Sequence, residues 1–313
     1  MGALEPALLP PPLVPVSRFS TAFSLAKETV SETLDDEVPS LAAAVAYYTV
    51  FSLPPLLVVI VAIAGAIFGA AAVEDAITSQ AEGLAGGSAA VAIRGMIQST
   101  SDLGDSVGAK IGGIAALLFG ASGAFGQLQM SLNKAWNVKK EQQKGGIVGT
   151  LLKRLVSFGM VLTIVFLLLV SLALSAFLAA AGGAVEALVP SGLVQTLLHV
   201  VNTVVAFVIT TGLFAALFVV LPDTKVAWRD VWVGAAVTAL LFTVGKFLIG
   251  LYLGRSNPGE AFGAAGSLAL ILIWIYYSSL IVLVGAEFTQ VFSQRHGSRS
   301  IHPLAQAREP QPY

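Results

Sequence analysis

Cysteine is absent from the 313-residue sequence, and histidine occurs only three times. Without cysteine the chain has no disulfides, no thiolate metal sites and no cysteine nucleophile, while its redox compartment stays open. Charge is also scarce, at 11% of residues against about 25% in soluble domains. Because 56% of the residues are hydrophobic, polar side chains are too few to cover a water-soluble globule. The composition therefore indicates an integral membrane protein.

Two further absences concern partners and cofactors. The net charge is only −1, so no overall field attracts nucleic acid, and we expect no nucleic-acid partner. The Walker A pattern G-x-x-x-x-G-K-[ST] does not occur. Any transport would therefore be ion-coupled, passive or driven by another subunit, and we expect no cofactor.

Six long apolar stretches lie between two predicted tails, a disordered Pro-rich segment at 1–16 and a polar segment at 294–313. A hydrocarbon core of about 30 Å needs about 20 helical residues, and each stretch meets that length. The predicted spans, within a membrane domain at 17–293, are 40–69, 111–133, 154–181, 194–221, 230–253 and 265–291. The predicted fold class is all-α, a polytopic membrane helix bundle with about six transmembrane helices plus short amphipathic helices.

Basic residues are distributed unevenly between the loops. Most lie before the first span, after the second and fourth spans, and after the last, whereas Arg94, Lys110 and Arg255 fall on the opposite side. By the positive-inside rule, both termini are predicted to be cytoplasmic.

Two segments outside the spans have the pattern of short helices. In 17–37, apolar residues recur at helical spacing, while acidic residues occupy other faces. The apolar set is Phe19, Phe23, Ala26, Val30 and Leu34. Because anionic lipids attract basic rather than acidic helix faces, we expect this helix to pack on protein. The loop 70–106 is predicted to hold a second short helical element on the outer side.

The first span carries polar residues and a proline pair. Tyr48, Ser52 and Pro55 share one face, at i, i+4 and i+7. Pro54 and Pro55 remove two backbone donors, so a kink or locally opened helix is expected. Transporters use such openings for binding and gating. A passive kink, with Tyr47 and Tyr48 as interface anchors, is the alternative.

The second span combines small residues with amides. A stripe of small residues at four-residue spacing, suited to close helix packing, consists of Gly112, Ala116, Gly120 and Ala124. Gln129 and Asn133 follow near the cytoplasmic end, one turn apart. These amides either bond neighbouring helices together or line a polar vestibule.

Apart from Arg154 and Asp230, which begin their spans, two charged residues are embedded in the remaining spans. Glu287 shares a face of the last span with Tyr276, roughly 30 Å from its outer end. A charge at that depth is a functional candidate. Tyr47 and Asn133 are expected at a similar depth in the membrane. The alternative is that Glu287 is hydrated or paired at the interface. Lys246, in the fifth span, is expected to extend its amine to the outer interface.

Three segments, in this order and spacing, carry a family resemblance: AAAVAYYTVFSLPPLL (42–57), FGQLQMSLNKAW (125–136) and FGAAGSLALILIWIYYSSLIVLVGAEF (262–288). Together they resemble the YihY/BrkB family of bacterial inner-membrane proteins, over about 20–293. One departure is Pro54, where the family more often has an aromatic or aliphatic residue.

The resemblance implies six spans, a bacterial cytoplasmic membrane and an unsettled activity. Some members have been labelled ribonuclease BN, others virulence factors, and some are suspected lipid exporters. The candidate polar site for transport or packing comprises Tyr47, Tyr48, Ser52, Pro55, Gln129, Asn133, Tyr276, Tyr277 and Glu287.

Three functions are weighed. Transport or export of a lipidic or amphipathic substrate is favoured by the proline pair and the embedded polar residues. A non-catalytic scaffold or subunit of an envelope assembly is the alternative, with a homo-oligomer or envelope proteins as partners beside membrane lipids. Ribonuclease activity, and enzymatic activity in general, is not expected, since acids and histidines are scattered rather than clustered.

Overall fold

A computed structural model of the chain describes residues 18–85, 87–101, 123–138, 192–224, 226–256 and 266–297. These ranges are helical and contain no strand, which confirms the all-α prediction. The helices are α1 (Arg18–Asp35), α2 (Val38–Phe68), α3 (Ala70–Ala85), α4 (Gly87–Ser101), α5 (123–135), α6 (Gly192–Val220), α7 (Trp228–Ser256) and α8 (Gly266–His296).

Four of these helices are long and apolar enough to cross a membrane: Val38–Leu57, Val200–Val220, Trp228–Tyr252 and Leu268–His296. They coincide with the first, fourth, fifth and sixth predicted spans. The predicted second span, 111–133, is described only from residue 123, and the third, 154–181, lies outside the described residues. The N-terminal tail and nearly all of the C-terminal tail also lie outside them.

Helix α2 continues through its proline pair as one helix, and the kink or local opening expected there stays a prediction. Each proline removes one backbone donor and its ring crowds the carbonyl four residues earlier, and in membrane helices neighbouring groups can satisfy the freed carbonyls. The helix begins after Glu37, whose φ of 53° breaks the path from α1. Gly69, with φ 89°, ends it and turns the chain directly into α3.

One buried cluster joins five helices at the end of the bundle where α2 begins and α8 ends. Its members are Val38 and Ala42 from α2, Leu132 and Ala135 from α5, Ala215, Phe218 and Leu221 from α6 and its following turn, Val231 and Ala235 from α7, and Leu283 and Ala286 from α8. These small and branched side chains hold the helix ends that carry the polar residues discussed below.

A second cluster lies towards the other end and involves α3 and α4. Residues 70–106 were predicted to hold one short helical element, but the chain forms two helices that pack on each other. Ile93 and Ile97 of α4 pack with Val50 and Leu57 of α2 and with Ile271 of α8. Alanine and isoleucine at helical spacing give each short helix an apolar face, so both are held by packing on longer helices.

Helices α7 and α8 approach closely through two glycine–threonine contacts. A Cβ built on Gly234 would lie 1.9 Å from Oγ1 of Thr289, and one on Gly285 would lie 2.1 Å from Oγ1 of Thr238. Each threonine lies four residues after a glycine of its own helix and donates its hydroxyl to that glycine's carbonyl. The absence of side chains at the glycines therefore sets the distance between these two helices.

Helix α1 packs on α8 and α2, which confirms that it docks on protein, but it does so through an unexpected face. Leu25 and Thr29 are buried. The apolar side chains of Phe23, Val30 and Leu34 are exposed, at 74%, 59% and 66%. In a soluble protein, the apolar face of such a helix would pack against the protein. At a membrane surface, the polar face can pack on the protein while the apolar face points outward.

Candidate functional site

Glu287 lies where the sequence places a charge inside the last span, and its side chain is only 1% exposed. Leu283 on the preceding turn belongs to the buried cluster, and Tyr276 and Leu280 pack against that cluster, so Glu287 continues the same face of α8. Within the described ranges no N–H or hydroxyl group donates to either of its carboxyl oxygens. A carboxyl group in this environment carries a large desolvation cost when charged.

The side chain that meets Glu287 is Asp36, in the turn between α1 and α2. The two carboxyl groups lie within hydrogen-bonding reach of each other. A bond between two carboxyl groups requires a proton on one of them, because two carboxylates offer acceptors only. The pair is therefore a place where one proton can be held between two helices.

The ionisable groups around the pair are mostly acidic. Burial raises the pKa of Asp36, and the neighbouring charge of Asp35 adds to the rise, while Lys134 and the bond with Glu287 oppose it. Burial also raises the pKa of Glu32, helped by its carboxylate neighbours Asp36, Asp35 and Glu28. Lys134 of α5 donates its amine to the backbone carbonyl of Asp36. The surroundings of Asp36 and Glu32 thus shift both carboxyl groups towards the protonated form.

Gln129 and Asn133 of α5 bond to the turn that follows α6. The Asn133 amide donates to the Asp223 carboxylate at 3.0 Å, and its carbonyl accepts from the Asp223 backbone N–H at 2.7 Å. Gln129 donates to the Leu221 carbonyl at 3.0 Å. This geometry favours the first of the two roles considered for these amides, bonding between elements of the bundle.

The aromatic residues of the first span lie on an outward face. Tyr47 and Tyr48 are 58% and 42% exposed, and the ring of Tyr47 packs with Phe51, which is also exposed. Tyr48 lies over Gly123 of α5, where an added Cβ would be 2.8 Å from its ring. Tyr47, Asn133 and Glu287 therefore belong to three different sets of contacts, although the sequence places them at a similar depth.

The other candidates take part in local or packing contacts. Ser52 is buried and donates its hydroxyl to the Thr49 carbonyl of its own helix. Tyr277 packs on Gly245, where a Cβ would lie 2.5 Å from its hydroxyl oxygen. Pro55 lies inside α2, partly buried. Lys246 is exposed on α7, and its extension to the outer interface stays a prediction.

Sequence reasoning missed two members of the site, Asp36 and Asp223. Both lie in polar turns beside apolar helices. An acidic residue is common in such a turn and does not by itself indicate a site. One signal was available for Asp36: it follows Glu28 and Glu32 at four-residue spacing, which places three carboxyl groups on one helical face. No such pattern marks Asp223, whose role depends on α5 packing beside it.

Comparisons with known proteins agree on one family. The sequence profile described as virulence factor BrkB matches residues 29–310. The chain is 30% identical over 258 residues to the UPF0761 membrane protein RSc1559 of Ralstonia nicotianae, covering 80% of this chain and 55% of that protein. It is also 30% identical to a UPF0761 membrane protein of Alkalilimnicola ehrlichii, with 80% and 54% covered. The chain thus spans about half the length of these relatives.

A more distant relative has a different kind of name. The ribonuclease-like protein YfkH of Bacillus subtilis is 26% identical over 185 residues, covering 58% of this chain and 65% of that protein. No solved structure matches the chain. In the part of the chain that the structure describes, no group of three or more His, Cys, Asp or Glu residues could hold a metal ion.

Proposed function

The chain belongs to the virulence factor BrkB family of membrane proteins, and we propose that it transports a lipidic or amphipathic substrate across a bacterial cytoplasmic membrane. The observation that carries the proposal is the fully buried Glu287, paired with Asp36 inside a membrane helix bundle. An ionisable group is costly there and is found mainly where ions or substrates pass. Protonation of the pair would couple an ion to substrate movement.

The proposed orientation has both termini in the cytoplasm. Arg295, at the end of α8, pairs with Glu28 of α1 and donates to the Ser24 hydroxyl at 2.8 Å. The first and last described helices therefore reach the same side of the bundle. This supports an even number of spans and agrees with the distribution of basic residues.

The outward face of α2 supports the proposed substrate class. Tyr47 and Phe51 form an exposed aromatic pair, with ring centroids 4.9 Å apart, on the helix whose first residues border the carboxyl pair. Aromatic rings with a hydroxyl suit the boundary between acyl chains and polar groups. A molecule with one apolar and one polar part would contact both the aromatic face of α2 and the polar residues at its start.

Flux in proteoliposomes tests the proposal. Purified protein is reconstituted, and movement of a fluorescent phospholipid analogue between leaflets is compared with empty liposomes. We expect flux above the empty control and a reduced flux for Tyr47→Ala, but not for Phe68→Ala, which removes an exposed aromatic side chain at the far end of the same helix. Folded wild-type protein without flux for lipid analogues or amphipathic solutes would contradict the proposal.

A scaffold in an envelope assembly, or a homo-oligomer, is the second candidate. It is favoured by the use of Gln129 and Asn133 in bonds within the bundle and of Tyr48 and Tyr277 in close helix contacts. Absence of flux together with a stable complex of defined stoichiometry would support it.

We do not extend the ribonuclease-like name to this chain. General acid–base cleavage of RNA needs an acid and a base within reach of the phosphodiester. The carboxyl of Glu287 is buried among helices, where a polynucleotide has no access. A purified preparation is expected to leave RNA intact, and RNA cleavage that copurifies with the folded protein would contradict this.

A further inference from the structure

We propose that Glu28, Glu32 and Asp36 form a proton-entry path from the cytoplasmic side to Glu287, so that the coupled ion is a proton. We call these three residues of α1 and its following turn the carboxyl ladder. The inference rests on the proposed transport function, since it names the ion and the route for the same site.

The spacing of the ladder provides a continuous set of carboxyl groups. Its members lie four residues apart, which places successive Cβ atoms about 6 Å from each other on one helical face. That face packs on α8, because Glu28 pairs with Arg295 and Asp36 meets Glu287. Eight residues separate the two contact points on each helix, a rise of about 12 Å. The two helices therefore run side by side, and the ladder follows α8 from its exposed end to the buried carboxyl.

The accessibility of the carboxyl groups changes along the ladder. Glu28, Glu32 and Asp36 are partly exposed, with one carboxyl oxygen of Glu28 and one of Asp36 buried, and Glu287 is fully buried. A proton taken from water by Glu32 can pass to Asp36 and then to Glu287. Each transfer breaks one O–H bond and forms another, so no electrons move and no further reactant is needed.

The charged groups that face Glu287 are Asp36 and Glu32 from α1 and Lys134 from α5. The Lys134 amine is bonded to the Asp36 backbone carbonyl, and Arg295 lies at the outer end with Glu28. The inner end of the ladder is therefore dominated by carboxyl groups. Among the described residues, no group of three or more His, Cys, Asp or Glu could hold a metal ion.

Infrared difference spectroscopy of the reconstituted full-length protein tests the path without any transported substrate. A rapid drop in pH is applied, and the carbonyl band of protonated carboxyl groups is followed in time. Glu287→Gln identifies the band of Glu287 by its loss. Glu32→Gln removes the partly exposed middle member and is the variant that tests the path.

Asp35→Asn is the matched control. Asp35 is exposed, accepts a hydrogen bond from the Ser31 hydroxyl and acts electrostatically on both Glu32 and Asp36. Its variant therefore removes one negative charge from the same region without removing a carrier. We expect the Glu287 band to appear about tenfold more slowly, or slower still, in Glu32→Gln, with its final amplitude kept, and at the wild-type rate in Asp35→Asn.

Either of two results would overturn the inference. In the first, no carboxyl band is lost in Glu287→Gln, so this residue takes up no proton. In the second, the band appears at the same rate in Glu32→Gln as in Asp35→Asn, so the ladder does not carry the proton. Since lipid flux is not measured, both results are distinct from a failure of the transport proposal.

Discussion

The carboxyl group of Glu287, near the end of α8, meets the carboxyl group of Asp36 in the turn between α1 and α2. The contact joins the first and last described helices of the bundle at the point where α2 begins. Because the bond needs a proton, its strength depends on pH. The docking of α1 on α8 is therefore linked to the same group that we propose as the coupling site.

The stability of the folded protein should fall as pH rises from acidic to neutral. Burial raises the pKa of Asp36 above its ordinary value in the folded state. Between the ordinary and the raised value, the folded state binds more protons than the unfolded state, so each rise in pH favours unfolding. Thermal unfolding of the detergent-solubilised protein at a series of pH values measures this slope.

Asp36→Asn is the variant for that experiment, since an amide has nearly the same shape and does not titrate. We expect a shallower decrease of the melting temperature with pH than in the wild type. Glu82→Gln, which changes an exposed carboxyl on α3, should keep the wild-type slope. A slope in Asp36→Asn equal to that of the wild type would show that Asp36 does not have the raised pKa.

Gly234→Ala should separate α7 from α8. The added methyl group would lie 1.9 Å from Oγ1 of Thr289, and overpacking of this kind costs about 1–3 kcal/mol. Gly250→Ala is the control on the same helix, because no atom lies within 4 Å of a Cβ there. Thermal melting should show a marked loss for Gly234→Ala and none for Gly250→Ala. Equal melting temperatures would mean that the helices do not approach through Gly234.

Asn133→Ala should destabilise the bundle without abolishing transport in the molecules that remain folded. The variant removes two hydrogen bonds to the partly buried Asp223, at a cost of about 1–3 kcal/mol. Met130→Ala, at an exposed position of the same helix, controls for loss of side-chain volume. Melting temperature and flux at matched insertion are measured together. Loss of flux at unchanged stability would instead place Asn133 in a substrate path.

The membrane helices could be predicted from sequence because apolar length alone decides whether a helix can span a bilayer. All four candidate spans among the described residues were found in this way. Glu287 was found for a related reason, since a charge within an apolar run is conspicuous. Its burial, however, depends on the packing of α8 against other helices, which composition does not determine.

The orientation of α1 could not be predicted from its pattern. An apolar stripe normally marks the face that packs on protein, but Phe23 and Leu34 are exposed while Leu25 and Thr29 are buried. In a membrane protein, an apolar face need not turn to the protein interior, so the rule for soluble helices does not decide between the two faces. The partner of Glu287 was missed for the same reason, because Asp36 continues the face assumed to point away.

Coupling at Glu287 is tested most directly by gradient-driven flux in proteoliposomes. Wild type, Glu287→Gln and Asp35→Asn are compared at matched insertion, with an imposed proton gradient and a fluorescent lipid analogue. The account predicts that the gradient increases flux in the wild type and in Asp35→Asn, while flux in Glu287→Gln does not respond to it. A Glu287→Gln variant with wild-type flux and a wild-type response to the gradient would contradict the account.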